Sequence, residues 1–208
     1  LGQAAGDMPL ESVVSVVADI ADALHVAHRE GLIHRDVKPS NILVGVDDGG
    51  RHGWITDFGI VLEPAGEDLT ADGATLGTPG FMAPEQVHAD RRSFDRRTDV
   101  YGLGATLFSA LCGRPPFEGV GFMTLVDIVN REAPRLRSLR PEIPPDVETI
   151  VAKCLEKDPS RRYESAAALA DDLRAFLDGR AITARRADWR YRLRRAIARH
   201  LSLIHISE

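Results

Sequence analysis

The first clear pattern in the chain is a repeat of apolar residues that begins at Leu10. Apolar side chains recur at intervals of about three and four positions, which places them along one face of an α-helix. Gly31 follows the repeat, and glycine is typical of a helix C-terminus. The pattern therefore predicts one long amphipathic helix. The positions that define it are Leu10, Val13, Val14, Val17, Ile20, Ala21, Leu24 and Ala27.

A different pattern follows this helix. Two short runs rich in β-formers cover residues 41–44 and 54–56, and the turn sequence Asp-Asp-Gly-Gly separates them at residues 47–50. This arrangement predicts a small β-hairpin. Residues 62–79 are polar and glycine-rich and show no periodicity. A segment of that length is too long for a passive connection, which favours a functional loop.

The helical repeat returns in the second half of the chain. Prolines separate the repeats from one another, and Gly179 ends the last. We expect a mainly helical domain of the α+β class that carries one small β-hairpin. The four further helices are predicted at residues 95–111, 122–131, 146–155 and 165–177.

Composition restricts the class of protein. The chain has 208 residues with 44% hydrophobic and 27% charged content, which fits one globular domain and excludes collagen-like and disordered chains. Cys112 and Cys154 lack metal-binding spacing, so we expect no zinc site and a reducing compartment. No charge-free apolar run reaches the roughly 18 residues of a membrane span. Because Leu1 is not an initiator methionine, we expect the chain to be part of a longer protein.

Charge is unevenly distributed. The net charge is −5, yet a basic segment between Arg180 and Arg199 contains eight arginines and one acid, Asp188. Three interpretations stay open for it: a solvated linker, a juxtamembrane segment attracted to anionic lipid, or a nucleic-acid contact. One short basic run without a recognisable module argues against the last. Residues 201–208, LSLIHISE, resemble a translated sequencing adaptor, although a genuine apolar stretch at the start of a membrane helix is the alternative.

Candidate chemistry is concentrated around the predicted hairpin. Before it lies the run His-Arg-Asp-Val-Lys-Pro-Ser-Asn at residues 34–41, and after its second strand comes Asp57-Phe58-Gly59. Both sequences lie at the same end of a hairpin, so two carboxylates, an amide and a lysine can converge. That set of groups suits a metal-bound polyphosphate.

These residues resemble the protein kinase family. The catalytic loop H-R-D-x-K-x-x-N, the D-F-G motif and an A-P-E box at residues 83–85 occur in the family's order and spacing. The resemblance covers roughly residues 9–179 and implies the larger, mainly helical C-terminal lobe. The glycine-rich loop and the strand lysine of the smaller N-terminal lobe are not found in the chain, so we expect the fragment alone to be inactive.

The resemblance implies roles for individual residues. Asp36 is similar to the catalytic base, and Lys38 to the lysine that neutralises the transferring phosphoryl group and contacts the nucleotide. Asn41 and Asp57 match the Mg²⁺ ligands. Leu43 falls where the family places an apolar floor beneath adenine, although a plain core leucine is the alternative.

The segment before the A-P-E box resembles the part that receives the substrate. Thr78 matches the threonine that contacts the base and lysine in serine/threonine kinases, and Gly80 makes the segment similar to bacterial members. Arg35 precedes the base, which in the family implies an activation segment organised by a phosphate. Thr70 and Thr75 are the candidate phosphoacceptors, with solvated loop threonines as the alternative.

For other residues that match the family, the resemblance implies a structural role rather than a catalytic one. Asp99 resembles the buried aspartate that accepts hydrogen bonds from the catalytic loop, and Glu85 and Arg162 resemble an internal ion pair. His34 and Phe58 are expected to be packing residues.

The sequence thus predicts the C-terminal lobe of a bacterial-like serine/threonine protein kinase. We expect a kinase lobe at residues 1–179, a basic linker or juxtamembrane segment at 180–200 and an artefact at 201–208. The parent would use ATP and Mg²⁺ on protein substrates in the cytoplasm, with a possible membrane anchor through the basic segment. The alternatives are a pseudokinase or scaffold, which the intact motifs argue against, and a small-molecule phosphotransferase with a kinase-like fold.

Overall fold

A computed structural model describes residues 1–2, 6, 8–47, 50–58, 79–87, 94–119 and 121–185. Within these ranges seven α-helices and one antiparallel pair of strands surround a single main hydrophobic core. The elements are α1 (Leu10–Arg29), β1 (Ile42–Asp47), β2 (Gly50–Ile55), α2 (Pro84–Val87), α3 (Arg96–Cys112), α4 (Phe122–Asn130), α5 (Leu136–Leu139), α6 (Pro145–Cys154) and α7 (Ala166–Leu177). The expected α+β class and mainly helical architecture are confirmed.

Helix α1 buries the apolar face that its sequence repeat predicts. Val14, Val17 and Leu24 are fully buried in the core, where α1 packs against α3 and α7. The helix ends as Gly31 takes a left-handed backbone with φ of 78°, and the Leu32 N–H returns to the Ala27 carbonyl at 3.0 Å. A residue with a β-carbon rarely adopts this conformation, so the glycine ends the helix and turns the chain toward residues 34–41.

The hairpin is longer than predicted. Ile42 pairs with Ile55 and Leu43 with Trp54 in an antiparallel register, and pairing continues to Asp47 and Gly50. The sequence pattern missed the outer half because glycines and polar residues there carry no alternating apolar signal. One side of the hairpin packs on α1. The register brings the start of β1 and the end of β2 to the same edge.

Helix α3 lies at the centre of the domain. Its residues from Thr98 to Phe108 are all buried, and it packs against α1, α6 and α7. Asp95 caps its N-terminus by accepting a hydrogen bond from the Arg97 N–H at 2.7 Å. The remaining predicted helices are confirmed within one or two residues at their ends. The single-turn helices α2 and α5 were not predicted, since four residues are too few to show a helical period.

The chain stays packed on the domain beyond α7. Ile182 is 4% exposed, and the buried carboxylate of Asp172 accepts hydrogen bonds from Thr183 N at 2.6 Å, Ala184 N at 2.8 Å and the Tyr163 hydroxyl at 2.8 Å. The first part of the basic segment is therefore packed against the lobe rather than separate from it. Its remainder, with residues 201–208, lies outside the described residues, and no described helix is both long and apolar enough to span a membrane.

The contact between α3 and α6 depends on Gly104. A β-carbon at this position would lie 2.3 Å from the Cys154 Cβ. We expect Gly104→Ala to lower the free energy of unfolding by about 1–3 kcal/mol through overpacking, even though alanine favours helix by about 1 kcal/mol. Urea denaturation followed by circular dichroism measures this change. Ser109→Ala on the same helix, at a half-buried position, is the control, and equal stability of both variants would contradict the close packing.

Candidate active site

The loop at residues 34–41 is anchored by one buried carboxylate. Asp99, at the first turn of α3, is 1% exposed. Its Oδ1 accepts a hydrogen bond from Arg35 N at 2.8 Å, and its Oδ2 accepts from His34 N at 2.8 Å and from His28 Nε2 at 2.7 Å. Three donors compensate the cost of burying the charge. The predicted contact of Asp99 with the catalytic loop is confirmed, and its contact with His28 was missed.

Two strained residues flank the site. Arg35 has φ of 67° and Asp57 has φ of 57°, and they are the only residues other than glycine with positive φ in the described ranges. Such conformations carry a steric cost and persist only where surrounding contacts determine them. Arg35 directly precedes Asp36. Of the two strained residues, one therefore lies directly before the predicted base, Asp36, and the other is the predicted metal ligand Asp57 itself.

Three of the predicted residues form one cluster. The Asp36 Oδ2 lies 2.7 Å from Lys38 Nζ and accepts a hydrogen bond from Asn41 Nδ2 at 3.1 Å. The same Nδ2 donates to the Asp36 carbonyl oxygen at 2.9 Å. Asn41 is 6% exposed, whereas the side chains of Asp36 and Lys38 are 39% and 26% exposed. A buried amide thus holds a carboxylate that pairs with a cation, and both charged groups reach solvent.

The end of the hairpin brings Asp57 toward this cluster. Thr56 N–H donates to the Asn41 carbonyl at 2.9 Å, which extends the strand pairing by one step. The Thr56 hydroxyl lies 3.1 Å from Asp57 Oδ2 and donates to it. Asn41 and Asp57 therefore emerge at the same edge of the hairpin, as the sequence predicted.

The side-chain oxygens of Asn41 and Asp57, at this edge of the hairpin, fit a magnesium ion that is bound together with phosphate. Because Asn41 Nδ2 points to Asp36, its side-chain oxygen is directed elsewhere, and among the described residues it accepts a hydrogen bond only from the Ser40 hydroxyl, at 3.3 Å. Mg²⁺ commonly takes one or two protein oxygens and completes its shell with phosphate and water. A dedicated metal cage would need more ligands, and the described residues hold no group of three His, Cys, Asp or Glu side chains arranged for one.

His34 and Phe58 are packing residues beneath the loop, as predicted. His34 is fully buried, and its ring centroid lies 4.6 Å from that of Phe58. Nε2 donates to the Thr56 carbonyl at 3.0 Å, while Nδ1 accepts from Asp36 N–H at 3.3 Å. This pattern places the ring proton on Nε2. Through its two hydrogen bonds, His34 joins the catalytic loop to the residue that precedes Asp57.

Leu43 lies on the outer side of the hairpin. It is 57% exposed and pairs with Trp54, which is 52% exposed. The alternative of a plain core leucine is therefore wrong, and these two residues form an accessible apolar surface next to the cluster. Thr78, Thr70 and Thr75 lie outside the described residues, so their predicted roles stay predictions.

The A-P-E box is held by a buried ion pair. Arg162 Nη1 lies 2.7 Å from Glu85 Oε1 and Nη2 lies 2.8 Å from Oε2, which is the bidentate arrangement. Thr98 Oγ1 donates to the same Glu85 Oε1 at 2.9 Å. The predicted pair is confirmed. It fixes the box to α3, the helix that also carries Asp99.

Sequence reasoning missed two polar side chains at this site. His28 contacts Asp99, and Gln86, just after the A-P-E box, contacts the backbone of the catalytic loop. Both contacts join residues more than fifty positions apart, so no local spacing could reveal them. The only sequence signals are that Gln86 directly follows the A-P-E box and that His28 is a polar residue six positions before His34.

Comparison with known proteins agrees with this site. The family model for the protein kinase domain matches residues 3–173. Serine/threonine-protein kinase PknB of Mycobacterium tuberculosis is 37% identical over 171 residues, which are 81% of this chain and 26% of that kinase. PknL of the same organism is 36% identical over 178 residues, 85% of this chain and 43% of that kinase. The chain thus spans about a quarter of PknB and less than half of PknL.

A solved structure shows the same fold. The kinase domain of Mycobacterium tuberculosis PknI, crystallised as a double mutant, aligns with a TM-score of 0.61 and 26% sequence identity. The alignment covers 85% of this chain and 61% of that domain. The family match includes the Asp36 cluster, Asp57 and the A-P-E box. The chain therefore belongs to the protein kinase family, and it is similar to the bacterial serine/threonine kinases.

Proposed function

We propose that the full-length protein transfers the γ-phosphoryl group of MgATP to serine and threonine hydroxyls of other proteins. The observation that carries this proposal is the convergence of Lys38 and Asn41 on one carboxylate oxygen of Asp36. Phosphoryl transfer requires mainly positioning and charge stabilisation from a protein. A carboxylate, a cation and an amide in contact at a solvent-accessible edge provide the groups for both.

Asp36 acts as the base in this proposal. Its carboxylate orients the substrate hydroxyl and accepts the proton that the hydroxyl loses. Lys38 Nζ, 2.7 Å from Oδ2, fixes the direction of the carboxylate and presents a positive charge to the phosphoryl group. Asn41 Nδ2 restrains the backbone and the side chain of Asp36 together.

Asn41 and Asp57 would hold a magnesium ion through one amide and one carboxylate group. ATP would supply the phosphoryl group, and magnesium held at these residues would neutralise negative charge on the phosphate oxygens. The exposed pair of Leu43 and Trp54 offers an apolar surface at the same hairpin, and Leu43 is the residue proposed to contact the adenine ring. The accessibility of Leu43 supports this role.

Arg35 is the proposed partner of a regulatory phosphate. Its Nε is buried and has no hydrogen-bond partner among the described residues, and its guanidinium lies 5.8 Å from the centre of the Phe94 ring. A phosphate on Thr70 or Thr75 would provide an acceptor for this Nε–H and would tie the activation segment to the catalytic loop. Thr78 is proposed to contact the base, Asp36, and Lys38.

The cytoplasm is the proposed compartment of the kinase domain. Cys112 and Cys154 are both free thiols, which agrees with a reducing environment. We also propose that the basic segment beyond Arg180 contacts an anionic membrane surface. Because residues up to Arg185 pack on the lobe, such a contact would orient the kinase domain with respect to the lipid.

Replacing the proposed base tests the chemistry. Asp36→Asn keeps the size of the side chain and an oxygen for Asn41 but removes a base able to accept a proton. We expect kcat to fall by about 10²- to 10⁴-fold while the protein stays folded. The assay measures transfer of labelled γ-phosphate from ATP to a serine-rich protein. Asp171→Asn on the exposed side of α7 is the control, and a wild type that binds ATP without transferring phosphate would contradict the proposed function.

Replacing the proposed metal ligand tests the nucleotide site. Asp57→Asn removes the negative charge that faces the metal, so the Mg²⁺ concentration for half-maximal activity should rise by about tenfold or more. A magnesium titration of phosphate transfer at constant ATP measures the shift, with Asp171→Asn as the same control. An unchanged magnesium curve would remove Asp57 from the metal site.

A further inference from the structure

Gln86 joins two motifs that lie far apart in the sequence. It follows the A-P-E box in the single-turn helix α2. Its Oε1 accepts a hydrogen bond from Ala83 N–H at 2.9 Å, and its Nε2 donates to the Arg35 carbonyl oxygen at 2.7 Å. We call these two hydrogen bonds the Gln86 bridge. One amide side chain thus satisfies a backbone donor of the box and a backbone acceptor of the catalytic loop.

The Gln86 bridge acts on the strained residue of the loop. Arg35 has φ of 67°, and its N–H is already bound by Asp99 Oδ1. With the Gln86 contact, both backbone polar groups of Arg35 are held by side chains from two different helices. A residue with a side chain keeps a left-handed backbone conformation only where contacts with its surroundings fix it. Gln86 therefore supplies one of the side-chain hydrogen bonds that hold the backbone of Arg35.

The same bridge determines the orientation of Asp36. The Arg35 carbonyl and the Asp36 N–H belong to one planar peptide group. Gln86 holds the oxygen of that plane, and His34 Nδ1 accepts from its N–H at 3.3 Å. Without Gln86 the plane would be held at one side only. Rotation of the plane would move the Asp36 carboxylate relative to Lys38 and Asn41.

The other end of the bridge lies beside the segment that receives the substrate. Met82 N–H donates to the Pro79 carbonyl at 2.9 Å, which orders the backbone directly before Ala83. Phe81, Met82 and Gln86 line one pocket together with Arg35 and Asp36. The Gln86 bridge thus fixes the distance between the carboxylate and the backbone that leads into the A-P-E box.

We propose that Gln86 is a positioning residue for phosphoryl transfer, which fixes the peptide plane before Asp36 relative to the A-P-E segment. This inference rests on the proposed function of Asp36 as the base. Gln86 contacts neither Asn41 nor Asp57, so its loss should reduce kcat and leave ATP binding intact. A misplacement of about 1 Å at a reacting group can cost about 10²-fold in rate.

The test compares two replacements in the full-length protein. Gln86→Met keeps the length of the side chain and removes both hydrogen bonds. Gln86→Glu keeps an acceptor for Ala83 N–H and removes the donor to the Arg35 carbonyl. Asn130→Leu is the matched control, because Asn130 Nδ2 donates to the Val126 carbonyl at 2.9 Å on the exposed part of α4, away from the site.

We expect both Gln86 variants to lose about 10- to 100-fold in kcat, with the KM for ATP within about twofold of the wild type. Hydrogen exchange of the Asp36 amide should become faster in both variants and remain unchanged in Asn130→Leu. If Gln86→Met does not fold, the measurements on Gln86→Glu alone test the proposal, since this variant keeps the hydrogen bond to Ala83 N–H. Unchanged kcat and unchanged exchange in a folded variant would overturn the proposal.

The exchange measurement also separates this inference from the proposed function. If the wild type transfers no phosphate but the Asp36 amide exchanges faster in the Gln86 variants, the positioning contact stands and the proposed function fails. If the wild type is active and the Gln86 variants match Asn130→Leu in both measurements, the proposed function stands and the positioning role fails.

Discussion

The carboxylate of Asp99 is the interaction on which the active-site geometry depends. Burying an ionised carboxylate is costly unless donors surround it, and here two backbone N–H groups of the loop and His28 provide them. The loop cannot leave this position without exposing or orphaning the charge. Asp99 therefore fixes His34 and Arg35, and through them the point from which the side chain of Asp36 projects.

Helix α3 extends this restraint to the rest of the site. Thr98, adjacent to Asp99, donates to Glu85 in the buried ion pair with Arg162. Further along the helix, the Cα of Gly102 lies against Val37, where a β-carbon would come within 2.9 Å of the Val37 Cβ. The catalytic loop and the A-P-E box are thus both positioned by one helix that is buried from Thr98 to Phe108. A shift of α3 would move both together, which preserves their relative geometry.

The sequence predicted those features whose signal is local. The periodicity of α1 and α3 extends over several turns, and the spacing of Asp36, Lys38 and Asn41 within one loop makes their convergence a consequence of chain connectivity. Helix α2, the outer half of the hairpin and the contacts of His28 and Gln86 were not predicted. Single turns have no period, and the contacts of His28 and Gln86 depend on tertiary packing that no local pattern records. The long-range contacts of Asp99 with the loop and of Glu85 with Arg162 were predicted only because these residues match motifs of the family.

Backbone strain gives a physical reason why several hydrogen bonds hold the loop at residues 34–41. Arg35 and Asp57 hold left-handed conformations, each of which costs of order 1–3 kcal/mol. At Arg35, the hydrogen bond from Gln86 in α2 and the hydrogen bond to Asp99 in α3 compensate this cost. Next to Asp57, the pairing of Thr56 with Asn41 extends the hairpin to the residue directly before it. The loop and the hairpin end are also joined directly through His34 and the Thr56 carbonyl. The carboxylates of Asp36 and Asp57 are therefore held by connected hydrogen-bond networks. A change in the backbone of Arg35 should alter the position of Asp57, and the reverse.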